Sequence, residues 1–260
     1  MSQTTIGAQL YTVREFTKTP SEIASTLHKV KSIGYDAVQL SALGPMEPSE
    51  LRRVLDGEGL VCAATHVGFE RMRDEPQAVI DEHRTLGCSH TAIGGMPGEY
   101  RGAQGAQRFA VEASGVARKL RDGGLTFSYH NHSFELERFD GKTLLDILLE
   151  HSDPEVFFFE IDTYWIQHGG GSPEAWIRKV AATGRSGGRF PLIHFKDMAI
   201  AGRQQLMAEV GEGNLDWPGI LRACRDAGIA WHLVEQDTCQ RDPFESLAIS
   251  LRNLQAMGLH

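Results

Sequence analysis

Four stretches in the second half of the sequence place metal-binding or proton-transferring side chains directly after an apolar run. They are "YHNHSFE" (129–135), "EIDTYW" (160–165), "HFKD" (194–197) and "VEQD" (234–237). Carboxylates and imidazoles bind divalent cations, and an imidazole also exchanges protons near neutral pH. The residue types therefore suggest a metal site combined with acid–base chemistry, provided that the fold brings the four stretches together.

Eight short runs rich in β-branched and apolar residues predict eight strands. They are "IGAQLY" (6–11), "DAVQL" (36–40), "LVCAATHV" (60–67), "HTAIGG" (90–95), "LTFSYH" (125–130), "VFFFEID" (156–162), "PLIHFK" (191–196) and "WHLVEQ" (231–236). Between them lie amphipathic segments, such as 21–34 and 106–124, whose apolar residues recur at three- and four-residue intervals. Alternating strands and helices imply parallel strands joined by right-handed crossovers.

The alternation predicts an α/β protein, a (β/α)₈ TIM barrel that forms a single domain over residues 1–260. An open, doubly wound sheet is the alternative. Such a sheet usually has a glycine-rich turn after its first strand, whereas "QLYTVREF" (9–16) follows here. The closed barrel is therefore the favoured architecture.

In a TIM barrel, the C-terminal strand ends meet at one rim and carry the active site. The sequence predicts that Glu135, Asp162, His194 and Glu235 converge there on one cation. Glu135 has the opposite strand parity to His132, so His130 is a rival for the first position. Three carboxylates and one imidazole favour one divalent metal, Mn²⁺ first, with Mg²⁺, Co²⁺ or Zn²⁺ as alternatives.

Composition narrows the classes of partner. A formal net charge of −8 argues against nucleic acid and against anionic membrane surfaces. The sequence shows neither a signal-peptide pattern nor a long apolar run, and its four cysteines lack CxxC spacing. We therefore expect a cytoplasmic protein with a small-molecule substrate, and a homo-oligomer is compatible with the sequence.

The motifs as a set resemble one family. "YHNHSFE", "EIDTYW", "HFKD", "GEGNLDW" (211–217) and "VEQD", in this order, are similar to the xylose isomerase-like barrel superfamily. This sugar phosphate isomerase/epimerase group also contains inosose dehydratase, ketose 3-epimerases and dehydroshikimate dehydratase, and the endonuclease IV group shares its barrel. "GAQLYTVRE" (7–15) and "GYDAVQL" (34–40) match as well, so the resemblance spans nearly the whole chain.

The resemblance implies a divalent metal held by Glu135, Asp162, His194 and Glu235, and chemistry that begins with removal of a proton beside a carbonyl. His132 and His130 are the candidate bases, and Glu135 or Glu235 could act instead while bound to the metal. Lys196 is a candidate acid or ligand for a substrate oxygen. Many ketose 3-epimerases carry a His three residues after the Asp, where this sequence has Trp165. That departure leaves room for lyase chemistry.

Four further residues are predicted to line the substrate pocket: Tyr11, Arg14, His66 and Trp165. Ordinary packing is the alternative for each of them. The basic stretch "GRSGGR" (184–189) precedes strand 7 and so belongs to the opposite end of the barrel, and Glu212 in "GEGNLDW" would repel a phosphate. A neutral sugar, keto-sugar or cyclitol is therefore the favoured substrate.

The leading functional hypothesis is a metal-dependent sugar isomerase or epimerase. The nearest alternative is a carbon–oxygen lyase, such as a dehydratase for a keto-sugar or keto-inositol, that uses the same metal and base. An endonuclease and a barrel that only binds sugar are less favoured, the first because of the acidic charge.

Overall fold

The structure, a computed structural model, describes residues 5–184 and 190–259. The strands in these ranges are β1 (Thr5–Gln9), β2 (Ala37–Leu40), β3 (Val61–His66), β4 (His90–Ile93), β5 (Thr126–His130), β6 (Arg138–Phe139), β7 (Lys142–Thr143), β8 (Phe157–Asp162), β9 (Leu192–Phe195), β10 (Asp197–Ala201), β11 (Gln204–Ala208) and β12 (Trp231–Val234). Apart from Gly184, the basic stretch 184–189 lies outside the described residues.

The helices of the described ranges mostly alternate with these strands. They are α1 (Pro20–Ile33), α2 (Pro48–Glu58), α3 (Phe69–Asp74), α4 (Pro76–Leu86), α5 (Ala103–Asp122), α6 (Leu144–His151), α7 (Thr163–His168), α8 (Pro173–Ala181), α9 (Trp217–Ala227) and α10 (Pro243–Ala256). Three 3₁₀ turns, at Leu10–Phe16, Gly98–Tyr100 and Phe134–Leu136, follow β1, β4 and β5. No helix in the described ranges is long and apolar enough to cross a membrane.

Eight of the strands close into a parallel barrel in the order β1-β12-β9-β8-β5-β4-β3-β2. Each predicted strand corresponds to one of these eight, so the predicted TIM barrel is confirmed. The sequence did not predict the hairpins β6–β7 and β10–β11, which extend from the C-terminal ends of β5 and β9. Both hairpins are short insertions in βα loops.

Alternation along β5 and β8 decides which side chains reach the barrel interior. Phe127 and Tyr129 point outward with Phe157, and the Phe127 and Phe157 ring centroids lie 5.2 Å apart. Phe109 of α5 packs on the same layer, 5.8 Å from Tyr129. Burial of these rings anchors the strands to the outer helices. The intervening residues of the strands consequently face inward.

A buried carboxylate organises the loop between β11 and α9. Asp197, which is fully buried, accepts hydrogen bonds from the backbone amides of Met198, Gly211, Gly213 and Leu215 at 2.7–3.2 Å, and from the Trp217 indole at 2.5 Å. A Cβ atom at Gly213 would lie 2.3 Å from the Asp197 Oδ1 atom, so this approach requires glycine. The "GEGNLDW" motif is thus explained by loop packing around a carboxylate.

Candidate active site and metal centre

Four buried side chains meet at the C-terminal end of the barrel. They are His130, Asp162, His194 and Glu235, which come from the ends of β5, β8, β9 and β12, and each offers one ligand atom. These atoms all lie within 4.8 Å of one another. The structure therefore brings together three of the predicted metal ligands and the rival residue His130.

Glu135 lies outside this cluster, on the outer side of β5. Its Oε1 atom accepts a hydrogen bond from the Tyr129 hydroxyl at 2.6 Å, and its Oε2 atom accepts one from the His132 backbone amide at 2.9 Å. The 3₁₀ turn Phe134–Leu136 carries the residue toward the outward-facing Tyr129. Of the two candidates for the strand-5 position, the structure places His130 among the clustered atoms.

We expect the environment of Glu135 to make the stability of the metal-free protein pH-dependent. Burial raises the pKa of Glu135 from 4.5 to about 7. The folded state therefore binds more protons than the unfolded state between these values, and stability falls as the pH rises through this window. Relative to Glu135→Gln, the free energy of unfolding of the wild type should drop by up to about 3 kcal/mol between pH 4.5 and 8.

Urea unfolding of both proteins in EDTA at several pH values measures this difference. The variant Glu137→Gln, which removes an exposed carboxylate two residues further along the chain, is the control and should follow the wild type. Parallel pH profiles for the wild type and Glu135→Gln would contradict the prediction.

Two residues deeper in the barrel fix the orientation of His194. Its Nε2 atom lies 2.6 Å from the Gln39 Oε1 atom and 3.0 Å from the Glu160 Oε1 atom. Gln39 also donates from its Nε2 atom to Glu160 at 2.7 Å. With its Nε2–H group donated to these oxygens, His194 presents Nδ1 toward Glu235, whose Oε2 atom is 2.9 Å away. Such an outer partner sets the tautomer and angle of a metal-binding imidazole.

Glu160 joins His194 to the pocket residue His66. The His66 Nε2 atom lies 2.7 Å from the Glu160 Oε2 atom. Burial alone would raise the pKa of Glu160, but His194 and His66 hold it well below its usual range. Glu160 is therefore a carboxylate partner of two histidines. Gln39 was missed, and its only sequence signal is an amide within the apolar run "DAVQL".

Lys196 is surrounded by carboxylates. Its Nζ atom lies 2.6 Å from Glu235 Oε2, 2.8 Å from Asp237 Oδ2 and 3.0 Å from Asp162 Oδ2. Burial alone would lower the pKa of Lys196, but these three anions raise it well above its usual value. Lys196 is therefore a permanent cation at the wall of the cluster and holds two candidate ligand oxygens in place.

The cluster fits a divalent cation. The His194 Nδ1 and Glu235 Oε2 atoms are buried 2.9 Å apart, and beyond the ion pair of Glu235 with Lys196 neither makes a hydrogen bond of regular geometry with a described residue. Buried polar atoms are rarely left in this state unless water or an ion satisfies them. The donor set of two imidazoles and two carboxylates, His130, His194, Asp162 and Glu235, suits a first-row transition metal.

A pocket of about 750 Å³ opens onto the cluster. Of the residues predicted to line it, Tyr11, His66 and Trp165 do so, together with His130, His132 and Glu235. Arg14 does not line it among the described residues. Its guanidinium donates to the backbone carbonyls of Tyr11 at 2.8 Å and Asp237 at 2.9 Å, and it covers the Tyr11 ring at 4.2 Å. Arg14 therefore supports the pocket wall from behind.

His132 stands at the pocket wall beside the cluster. Its ring is stacked on Phe134 with an interplanar angle of 14° and lies 5.2 Å from the Trp165 ring. The Nδ1 atom is buried without a partner in the described residues. Burial, with added repulsion from His130 and Lys196, lowers the pKa of His132 to about 3. In the metal-free state, the imidazole is thus uncharged at neutral pH.

Comparison with known proteins places this geometry in a family. The family model described as xylose isomerase-like TIM barrel matches residues 27–256. The chain belongs to the xylose isomerase-like TIM barrel family. The resemblance predicted from the motifs is thereby confirmed. No curated protein matches the sequence.

Solved structures share the xylose isomerase-like fold along the whole chain. A sugar phosphate isomerase/epimerase from Parabacteroides distasonis superposes with a TM-score of 0.80 at 22% identity, covering 98% of this chain and 95% of the other. An L-ribulose 3-epimerase gives a TM-score of 0.73 at 17% identity, covering 99% and 95%. A D-allulose 3-epimerase from Methylomonas sp. gives 0.70 at 13% identity, covering 98% of each chain. At sequence identities this low, the similarity establishes a shared fold alone.

Proposed function

We propose that the protein is a metal-dependent isomerase or epimerase that acts on a sugar or keto-sugar by removing a proton beside a carbonyl group. The observation that carries the proposal is the meeting of His130, Asp162, His194 and Glu235 at the base of a pocket that also exposes His132. The fold is shared with solved structures of a sugar phosphate isomerase/epimerase and of ketose 3-epimerases, which supports a sugar substrate.

The four clustered residues would hold the metal, for which we favour Mn²⁺ over Co²⁺, Zn²⁺ and Mg²⁺. When bound, it supplies a Lewis acid that polarises the substrate carbonyl. The side chains supply the proton transfers. Glu235 reaches the pocket from the cluster, and Lys196 and His194 lower its pKa in spite of burial, so it meets the substrate as a carboxylate. His132 faces the same pocket from the loop after β5 and can exchange a proton on another side of the substrate.

Exchange of substrate protons with solvent tests the shared first step of all these reactions. The protein, loaded with Mn²⁺ or treated with EDTA, is incubated in D₂O with a panel of ketoses, keto-glycosides and inososes. NMR should show deuterium entering the carbon beside the carbonyl in the Mn²⁺ sample alone. Absence of exchange across the panel, with the protein folded and metal-loaded, would contradict the proposal.

One observation favours lyase chemistry as a second candidate. Of the two clustered carboxylates, Glu235 lines the pocket and Asp162 does not. The other lining carboxylates in the described part of the chain are Asp237, which follows the same strand as Glu235, and Glu70 of α3. Neither comes from another strand that carries a candidate ligand, so the imidazole of His132 would be the second group. Once the imidazole has accepted the proton removed from the substrate, it can return that proton to a leaving hydroxyl on the neighbouring carbon. A conjugated product, followed by ultraviolet absorbance, would support elimination, whereas a stereoisomer seen by chromatography would support epimerisation.

A further inference from the structure

The pocket extends well beyond the metal cluster. Its remote half is formed by the loops that follow β3 and β4 and by the turn that follows β5, and it includes Phe69, Met96, Pro97, Arg101 and Phe134. Pockets of about 300–1,000 Å³ commonly take drug-sized ligands, so a cavity of about 750 Å³ can accept a substrate that reaches past the reacting carbonyl.

A row of stacked side chains along one wall connects the remote half of the pocket to the half beside the cluster. The Arg101 guanidinium carbon lies 4.3 Å from the Phe134 ring centroid, and the Phe134 and His132 centroids are 6.1 Å apart. His132 is in turn 5.0 Å from the ring of His130, a member of the cluster. An extended substrate lying along this wall would have one end at the cluster and the other at Arg101.

Arg101 is an exposed positive charge of the remote half, and no carboxylate in the described part of the chain lies within ion-pair distance of it. Among the described residues, its guanidinium makes no hydrogen bond or ion pair with a protein group. Lys196, by contrast, contacts three carboxylates, and Arg14 is bound to two backbone carbonyls. Stacking on Phe134 occupies one face of the guanidinium and leaves its edge of N–H donors available to a ligand.

The backbone around Arg101 is fixed. Its amide donates to the Gly98 carbonyl at 3.2 Å, and the preceding Tyr100 is buried against Phe69 and Phe109. At the start of the same loop, a Cβ atom on Gly95 would lie 3.3 Å from His132, and its φ of 154° is one that glycine tolerates. The loop backbone therefore passes close to the His132 ring at Gly95 and carries Arg101 at its other end.

We propose that Arg101 binds a carboxylate at the end of the substrate remote from the reacting carbonyl, so that the substrate class is a keto-sugar acid. This inference rests on the proposed function. A planar guanidinium edge matches a carboxylate with two parallel hydrogen bonds. Glu70 also lines the pocket, which disfavours the doubly charged phosphate more than it disfavours a single carboxylate.

Calorimetric titration of three ketoses tests the assignment: D-fructose, D-fructuronate and D-fructose 6-phosphate. Each is titrated into the protein with and without Mn²⁺. The wild type should bind D-fructuronate about 10- to 100-fold more tightly than D-fructose, and Arg101→Gln should lose this preference. Arg108→Gln is the control, because Arg108 is an exposed arginine of α5 that does not line the pocket.

Each outcome decides the proposal. Equal affinity for the three ketoses, no binding of any of them, or a preference that survives in Arg101→Gln overturns it. An Arg101-dependent preference for D-fructose 6-phosphate over D-fructuronate makes the ligand a phosphate and overturns the carboxylate assignment. Arg101-dependent binding of D-fructuronate without proton exchange in D₂O would retain the anion site and refute the proposed enzymatic function instead.

Discussion

Replacing Asp162 with Asn is expected to remove most of the stabilisation that Mn²⁺ confers on the protein. Asp162 is fully buried in the four-residue cluster, and an amide supplies a weaker, uncharged oxygen at the same place. At a metal concentration of about 100 Kd, the wild type should gain about 2.7 kcal/mol of stability. Loss of a direct ligand should weaken metal binding at least about 100-fold, since even outer partners contribute 10- to 100-fold.

Melting temperatures with Mn²⁺ and with EDTA measure the effect, and calorimetry gives the affinities. Asp197→Asn is the matched control, because Asp197 is an equally buried carboxylate that binds loop amides and lies outside the cluster. It should melt at a lower temperature yet keep its response to Mn²⁺. An equal Mn²⁺ response in Asp162→Asn and the wild type would mean that the cluster does not bind the metal.

The largest loss of activity without loss of metal is expected for His132→Ala. The imidazole lines the pocket beside the cluster but contributes no ligand atom to it. Proton transfer by a positioned side chain typically accelerates a reaction by about 10²–10⁴-fold, and the variant should lose rate in this range. Deuterium exchange into a ketose substrate, measured by NMR, reports the rate, and the Mn²⁺-dependent rise in melting temperature reports metal binding.

His168→Ala provides the comparison for this variant. His168 is also a partly buried imidazole near Trp165, with ring centroids 5.4 Å apart, but it belongs to α7 and does not line the pocket. Its removal should leave the exchange rate almost unchanged. If His132→Ala exchanges protons as fast as His168→Ala, another group is the base. If it no longer responds to Mn²⁺, His132 belongs to the metal site.

The barrel could be predicted from sequence because its signal repeats. Eight apolar runs alternating with amphipathic segments specify parallel strands, and any single misread run would leave the pattern intact. The inward positions of Ser128 and His130, and of Glu160 and Asp162, also follow from strand alternation, since successive side chains point to opposite faces. Because the imidazoles and carboxylates come at the C-terminal ends of these strands, they are expected to cluster at one rim of the barrel.

The direction of a side chain cannot be predicted from the sequence pattern where the regular strand geometry ends. Beyond His130 the parity rule no longer applies, and the fate of Glu135 depends on the 3₁₀ turn and on the Tyr129 hydroxyl. Contacts across the barrel are equally hidden, because Gln39 and His194 are 155 residues apart in sequence. Arg14 was predicted in the pocket from its position after β1, but two backbone carbonyls hold it behind Tyr11.

The candidate metal ligands lie at strand ends and the remote half of the pocket lies on loops, and this separation has a consequence for engineering. Three of the four candidate ligands, His130, Asp162 and His194, lie within barrel strands, whereas Arg101 and Phe134 lie on segments outside the hydrogen-bonded barrel. Grafting a different β4–α5 segment from a related barrel should therefore retarget the protein to new compounds while its cation affinity stays constant. Libraries confined to Pro97, Gly98, Glu99 and Arg101, none of which is buried, would vary selectivity while leaving the candidate metal ligands in place.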